Sequence, residues 1–470
     1  MKLRILVSVV LVSSCLVLAA NAATMRVGRA AVKITPPVGS PMGNSYGLSI
    51  SQGVHDDLYA KALVLEQDGV KTAIVACDTV SLRGAIVAEA RRLIESKTSL
   101  KGAQVIISAT HCHAGPQMHP LFLKQVGGKG EQMGLEYIST LPGLIAESVG
   151  LAEAGLTPAR VSATMSSEKS LVFNRRFLMK DGSVRMNPGR LNPQSVRPVG
   201  DVDAELSVVY FESLESKPLV TLVNYPLHVA IVGGNRFSSD YPGVLSRMLA
   251  EVKGKDMLTI FTNGTSGNVN HIDSGRKDQL SGNEEAARIG IILASAVLKS
   301  YPALQPIDTQ PLKVRTDKVD LPVASVSERE VAQARETMSR YGKPNGPSFD
   351  DVVRAWRILD LEELKGKPLE TEVQAITLGD ELAYVGFPGD AFVELGLSIK
   401  TNSPFPLTIV SEQSGNGAIS YVPNRRAFPE GGYEVNSARF LPGGAELLID
   451  AAGRLLTDLF PYGKVRGQKN

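Results

Sequence analysis

Hydrophobic spacing along the first half of the chain switches between two periods. Apolar residues alternate or run together in KALVLEQ (61–67), KTAIVACD (71–78) and AQVIISATH (103–111), the pattern of half-buried and fully buried strands. Between them GAIVAEARRLIESK (84–97) spaces its apolar residues three and four apart, as a helix does. A further helix is expected over EYISTLPGLIAESVGLAEAG (136–155), kinked or broken at Pro142. RVSATMSSE (160–168), ELSVVYFES (205–213) and PLVTLVNYPLH (218–228) read as β. YPGVLSRMLAEVKG (241–254) reads as a helix opened by proline, MLTIFTN (257–263) as a strand and GNEEAARIGIILASAVLKSY (282–301) as a long helix.

Past about residue 305 the texture changes. PLKVRTDKVDLPV (311–323) looks β, and two polar helices follow over about 327–341 and 350–365. A hairpin is expected around Gly379-Asp380, then a strand in PLTIVSEQ (406–413) and a closing amphipathic helix, GAELLIDAAGRLLTDLF (444–460). Strand, helix and strand in repeated order predict an α/β fold: one large domain, a mixed β-sheet flanked by helices, with ligands beyond the carboxyl ends of strands. Four apolar strands do end in polar clusters. They lead into His111, His228, the run Gly264-Thr265-Ser266-Gly267-Asn268, and Asp390.

The N-terminus changes the compartment. A short basic start, an apolar core and ANA at 20–22 make a secretory leader of residues 1–22, with cleavage after Ala22. Residues 23–470 are then the mature, exported protein, secreted or periplasmic, with no second apolar run long enough to span a bilayer. Loss of Lys2 and Arg4 with the leader takes 50 basic residues to 48, against 48 acidic ones. That balance, without a basic run, gives no reason to expect nucleic acid as a partner. Two cysteines remain, Cys77 and Cys112, too few for a disulfide scaffold, and their pairing stays open.

Candidate chemistry centres on SATHCHAGP (108–116). Alternate residues of an extended segment project to the same side, so His111 and His113 could share a pocket as metal ligands, or simply cap a strand end with polar groups. His228 closes another apolar strand, where a histidine serves equally as a hydrogen-bonded structural group. His55 reads as ordering a loop, and His119, in MHPLF, as part of a surface loop.

These residues resemble the catalytic domain of the neutral (alkaline, non-lysosomal) ceramidases, zinc amidases that cleave the N-acyl bond of ceramide. THCHAGP (110–116) is similar to that family's THTHSGP, and His228 followed by SSDYPG (238–243) to its second histidine and Ser-Asp pair. PGD, ending in Asp390, stands for its PGE; Tyr421 and Tyr433 keep its twelve-residue tyrosine spacing; FNRR (173–176) matches its Asn-Arg element. The likeness runs in order from about 27 to about 440.

What the resemblance implies is a zinc site of His111, His228, Asp390 and Tyr421, hydrolysing an acyl bond through metal-activated water. It makes His113 the proton carrier or oxyanion donor, has Tyr433 and Asn270 add hydrogen bonds to developing charge, and sets Arg175 near the substrate. The implied partner is an amphipathic N-acyl lipid or other acylated small molecule, with peripheral contact to a membrane surface. Three departures stand out. GNVNHI (267–272) places Asn270 where the family carries a serine, with His271 and Asp273 as stand-ins for part of the lost polar network. The carboxylate is Asp rather than Glu, and no C-terminal β-sandwich domain is expected. Alternatives therefore stay beside the ceramide reading: a zinc hydrolase of another amide or ester on the same scaffold, or a non-catalytic binding protein.

Overall fold

In chain order the principal elements of the N-terminal half are β1 (Arg26–Lys33), β2 (Tyr59–Gln67), β3 (Val70–Cys77), α1 (Gly84–Lys97), β4 (Val105–Ala109), α2 (Gly128–Ala154), β5 (Thr157–Ser167), β6 (Glu205–Ser213), β7 (Pro218–Tyr225), α3 (Asp240–Lys253), β8 (Leu258–Asn263) and α4 (Gly282–Ser300). The remainder supplies β9 (Leu312–Leu321), α5 (Glu328–Ser339), α6 (Phe349–Leu364), β10 (Leu369–Leu378), β11 (Leu382–Gly386), α7 (Val393–Asn402), β12 (Leu407–Ser411) and α8 (Gly444–Leu459). This computed structural model describes residues 24–462 except 44, 45, 47 and 416–418, so the expected leader, 1–22, lies outside the described residues. Among those described, no helix is long and apolar enough to cross a membrane.

The first eight strands form one mixed sheet in the order β8-β7-β6-β5-β1-β2-β3-β4, with a short ninth strand, Gln305–Pro306, beside β5. The last four form a second sheet, β9-β10-β11-β12. Strand alternation explains how the two stack. Ala60, Ala62 and Val64 of β2 face a core shared with α1, α2, α3 and α4. Leu63 and Leu65 face the opposite way, into a core shared with Ile376, Leu378 and Tyr384 of the second sheet. The far side of that sheet, Val373, Ala375 and Val385, is covered by Leu395 of α7 and Leu448 and Leu455 of α8. The result is helices, sheet, sheet, helices. Each large aliphatic side chain buried in these cores contributes roughly 1.5–3 kcal/mol, and a one-residue register slip would turn a whole strand face the wrong way.

A mixed α/β fold flanked by helices is therefore present, with a second sheet that periodicity does not disclose. Of the two outcomes expected at Pro142, kink or break, the break does not occur: α2 is continuous through it. Proline there forfeits one helical hydrogen bond, but Tyr137, Leu141, Ile145 and Val149 are all buried and hold the segment to the large sheet. Cys77 and Cys112 are both buried and unbonded to each other.

Among the strands named above, three neighbouring pairs are parallel, and each is a strand–helix–strand crossover: β3-α1-β4, β7-α3-β8 and β11-α7-β12. Their registers end level, Cys77 beside Ala109, Tyr225 beside Asn263, Gly386 beside Ser411. The six chain exits therefore leave in adjacent pairs, and the polar clusters sit on them. This is the placement expected of a ligand site in α/β sheets.

Candidate metal centre

His111 follows β4 in a left-handed backbone conformation, φ 64°, a conformation that a non-glycine residue holds only where its surroundings enforce it. Its Nδ1 lies 2.7 Å from the carbonyl oxygen of Val80, on the adjacent β3 exit. A carbonyl only accepts, so Nδ1 carries the hydrogen and Nε2 is left with its lone pair. That Nε2 is 3.0 Å from Nε2 of His228 and 3.1 Å from Nε2 of His113. His228 faces the Ser266 carbonyl oxygen with Nδ1 at 3.4 Å, a longer contact. Three imidazoles thus converge, their ligand atoms all within 4.8 Å of one another.

Asp390 completes the cluster, its Oδ2 3.4 Å from His111 Nε2. It is buried, and neither carboxylate oxygen has a hydrogen-bond partner among the described residues. Tyr421 stands beside it because Asp390–Ala391 and Tyr421–Val422 form a two-residue parallel ladder pairing Asp390 with Tyr421. The turn carrying Ser266 packs just as tightly: a Cβ on Gly267 would come within 2.4 Å of the Asp390 carbonyl oxygen, so only glycine fits there.

Electrostatics agree with a cation site. Burial first, then the neighbouring charges of His111 and Arg175, holds His113 well below the usual histidine range, and burial with the same neighbours does so for His228. Neutral imidazole is the form that binds a metal. Burial pushes the Tyr421 phenol up, against the pull of Arg175. Arg175 itself is buried; burial works against its charge, but Tyr421, Glu434 and Asp390 around it more than restore it. Nitrogen, carboxylate and phenol donors, with an orphaned buried carboxylate among them, fit a divalent cation such as zinc.

The remaining expected residues fall in four places. Tyr433 lines the same cavity and stacks edge-on to Tyr421 at 5.1 Å between centroids. Arg175 stands behind Tyr421 rather than on the cavity wall, donating from Nη2 to the Tyr421 hydroxyl at 3.0 Å and to Gly267 O at 2.7 Å, and from Nε to Glu434 at 3.0 Å. Asn270 is turned aside: its Nδ2 donates to Asn187 Oδ1 at 3.0 Å and its Oδ1 accepts from Ile272 N. His271 and Asp273 share a loop with Gln279, which donates to the His271 carbonyl and accepts from Asp273 N.

The cavity over the cluster, about 300 Å3, is lined by His111, His113, Asp390, Tyr421 and Tyr433 at its base, and by Tyr46, Met118, Phe122 and Trp356 along one wall. Arg83, Glu363 and Glu370 also line it. Two of its features escaped the sequence. His119 is no surface-loop residue: it caps the short helix Pro120–Val126 and receives the Trp356 indole N–H at Nε2, 2.8 Å. Asp360 of α6, ion-paired to Arg439, lies 3.5 Å from the same His119. The polar helix α6 thus turns Trp356 to the cavity, a role its largely polar composition conceals. Glu412, one residue past β12, was also missed, although it follows an apolar strand as Asp390 does.

Comparison with known proteins comes to the same fold. No family model matches the chain. It is similar to the neutral ceramidase of Drosophila pseudoobscura pseudoobscura, 27% identical over 285 residues, and to that of Drosophila melanogaster, 25% over 284 residues. Each alignment covers 56% of this chain and 38% of the relative, so the match spans well under half of the relatives' length. Among solved structures, neutral ceramidase from Pseudomonas aeruginosa superposes with a TM-score of 0.72 at 19% identity, covering 93% of this chain and 75% of that one. A ceramidase complexed with C2 gives 0.71 at 17% identity, covering 93% and 76%. The chain has the neutral ceramidase fold, and its sequence resembles that family.

Proposed function

We propose that this chain, which shares the fold of the neutral ceramidases, is a zinc-dependent hydrolase cleaving the N-acyl bond of a ceramide-like lipid. The observation that carries the reading is Asp390: a buried carboxylate with no hydrogen-bond donor among the described residues, set against converging imidazoles, is costly unless a cation sits there. Zinc held by His111, His228, Asp390 and Tyr421 would supply Lewis acidity and a water whose pKa is lowered to about 7. Val80 fixes the tautomer of His111 through Nδ1. His113 lies beside that donor set and is held neutral, so it can take a proton at Nε2 during attack and return it to the leaving amine. Tyr433, at the base of the cavity, would donate to a developing oxyanion. Arg175 orients the Tyr421 hydroxyl. The wall of Tyr46, Phe122 and Trp356 excludes water and offers an apolar surface to an acyl chain.

A different amide or ester is the second reading. It is favoured by the charged groups Arg83, Glu363 and Glu370 along the cavity, and by Asn270 turned away from it. In either case a cleaved leader at 1–22 would carry the enzyme out of the cytoplasm, and N-terminal sequencing of exported protein tests the cleavage after Ala22. The deciding assay is release of fatty acid from a short-chain N-acylsphingosine by zinc-loaded protein, with His111→Ala as control. Turnover absent from the control supports the ceramide reading. A folded, zinc-bound protein without turnover removes it in favour of the second.

A further inference from the structure

Glu412 is fully buried at the exit of β12, outside the donor set described above. Its carboxylate meets four donors. Oε1 accepts from Asn263 Nδ2 at 3.1 Å and from Ser266 Oγ at 2.6 Å, and Oε2 accepts from Ser266 N at 3.0 Å and Ala391 N at 2.8 Å. Each contact leads to one of the candidate ligands. Ser266 presents the carbonyl that faces His228 Nδ1. Asn263 Oδ1 accepts from the backbone N–H of Leu227, the residue before His228. Ala391 directly follows Asp390, and its carbonyl accepts from Gly267 N at 2.7 Å. The next residue, Gln413, has a left-handed φ of 54°; its N–H donates to Gly389 O, and its carbonyl accepts from Ala109 N, just before the turn to His111.

Two side-chain oxygens therefore span two separate strand exits, from β8 and from β11. Only an acceptor-only group satisfies four donors at once; an amide would turn an NH2 against two of them. We infer that Glu412 is a positioning residue that sets His228 and Asp390 at the mutual geometry a divalent cation requires. The inference rests on the metal reading above and deepens it. A buried carboxylate that merely held strands together would change stability alone. One that aims ligands changes affinity and ligand field in protein that is still folded.

The test loads wild type, Glu412→Gln and Ser266→Ala with Co2+, follows the visible ligand-field bands, and measures affinity by chelator competition, with circular dichroism reporting the fold. Expected is one Co2+ per wild-type chain, an affinity lower by about 10- to 100-fold in Glu412→Gln with displaced bands, and a smaller change in the same direction in Ser266→Ala. Folded Glu412→Gln with wild-type bands and affinity overturns the inference and leaves the functional reading standing. Should Glu412→Gln fail to fold, unchanged bands in Ser266→Ala overturn it in the same way. A wild-type chain that binds no divalent ion overturns this inference and the functional reading together.

Discussion

Asp390 reaches to within 3.4 Å of His111 Nε2, yet no hydrogen-bond donor meets either of its oxygens among the described residues. A carboxylate in that position destabilises the metal-free chain and is compensated only when a cation joins it. Burial holds His113 and His228, the two imidazoles that meet His111, well below the usual histidine range, so these two provide donors and little countercharge.

Metal binding and stability should therefore trade places at this residue. Asp390→Asn is expected to leave the metal-free Tm unchanged or raised, while abolishing the rise that zinc gives the wild type. That rise corresponds to about 2.7 kcal/mol when free zinc is a hundredfold above Kd. Thermal unfolding with and without zinc reads both effects, and a wild-type Tm indifferent to zinc would sink the cation reading.

Arg175 ties three parts of the site, through the Tyr421 hydroxyl, Gly267 O and Glu434. Removing it strands Glu434 Oε1 in a fully buried place, although Arg176 still holds the other oxygen at 2.9 Å. Arg175→Ala should cost toward the lower end of the roughly 3–5 kcal/mol typical of a broken buried pair. Arg175→Lys keeps the charge without the planar fork and should fall between. Denaturant unfolding gives the order, and an Arg175→Lys variant as stable as wild type would show that geometry at Tyr421 and Gly267 adds nothing to charge.

Much of this was legible from the chain itself. The three crossovers follow from apolar strands alternating with helices, and His111, His228 and Asp390 were each marked by a strand ending abruptly in a polar residue. The stacking of the second sheet was not, because Leu63 and Ala62 read alike as apolar whichever neighbour they face. A shared pocket for His111 and His113 was open to the sequence, but the approach of His228 to His111 at 3.0 Å was not, since the turn at His111 depends on a left-handed φ that its sequence does not announce. Glu412 and the cavity wall of α6 depend on contacts between distant segments, and only the fold brings those together.

A pH effect should arise away from the candidate metal site. Burial pushes His271 down to about 4. The unfolded chain takes up that proton near the ordinary value of about 6.5, before the folded chain can. Stability is therefore full above pH 6.5 or so and is lost as pH falls toward 4, by at most about 3 kcal/mol and less for its residual exposure. His271→Gln should flatten that part of the acid limb of a stability–pH curve. A curve of unchanged slope between those limits would mean the side chain titrates freely in the folded state.

The final expectation concerns what the cavity selects. Trp356 forms its aromatic wall with Phe122, at 4.9 Å between centroids, and is held by His119 through its indole N–H and by the Arg439 guanidinium 4.9 Å above its ring. None of these interactions belongs to the metal cluster. Trp356→Ala should therefore leave metal content intact and raise KM for long-chain acyl substrates, about tenfold for each 1.4 kcal/mol of apolar burial removed, with kcat and the KM of a two-carbon acyl substrate little changed. Trp356→Phe retains an aromatic wall but drops the N–H to His119, and should stay near wild type if apolar burial is what matters. A uniform fall in kcat for short and long substrates alike would instead assign the wall to holding the reacting groups in place, and would leave chain-length preference to be set by other residues.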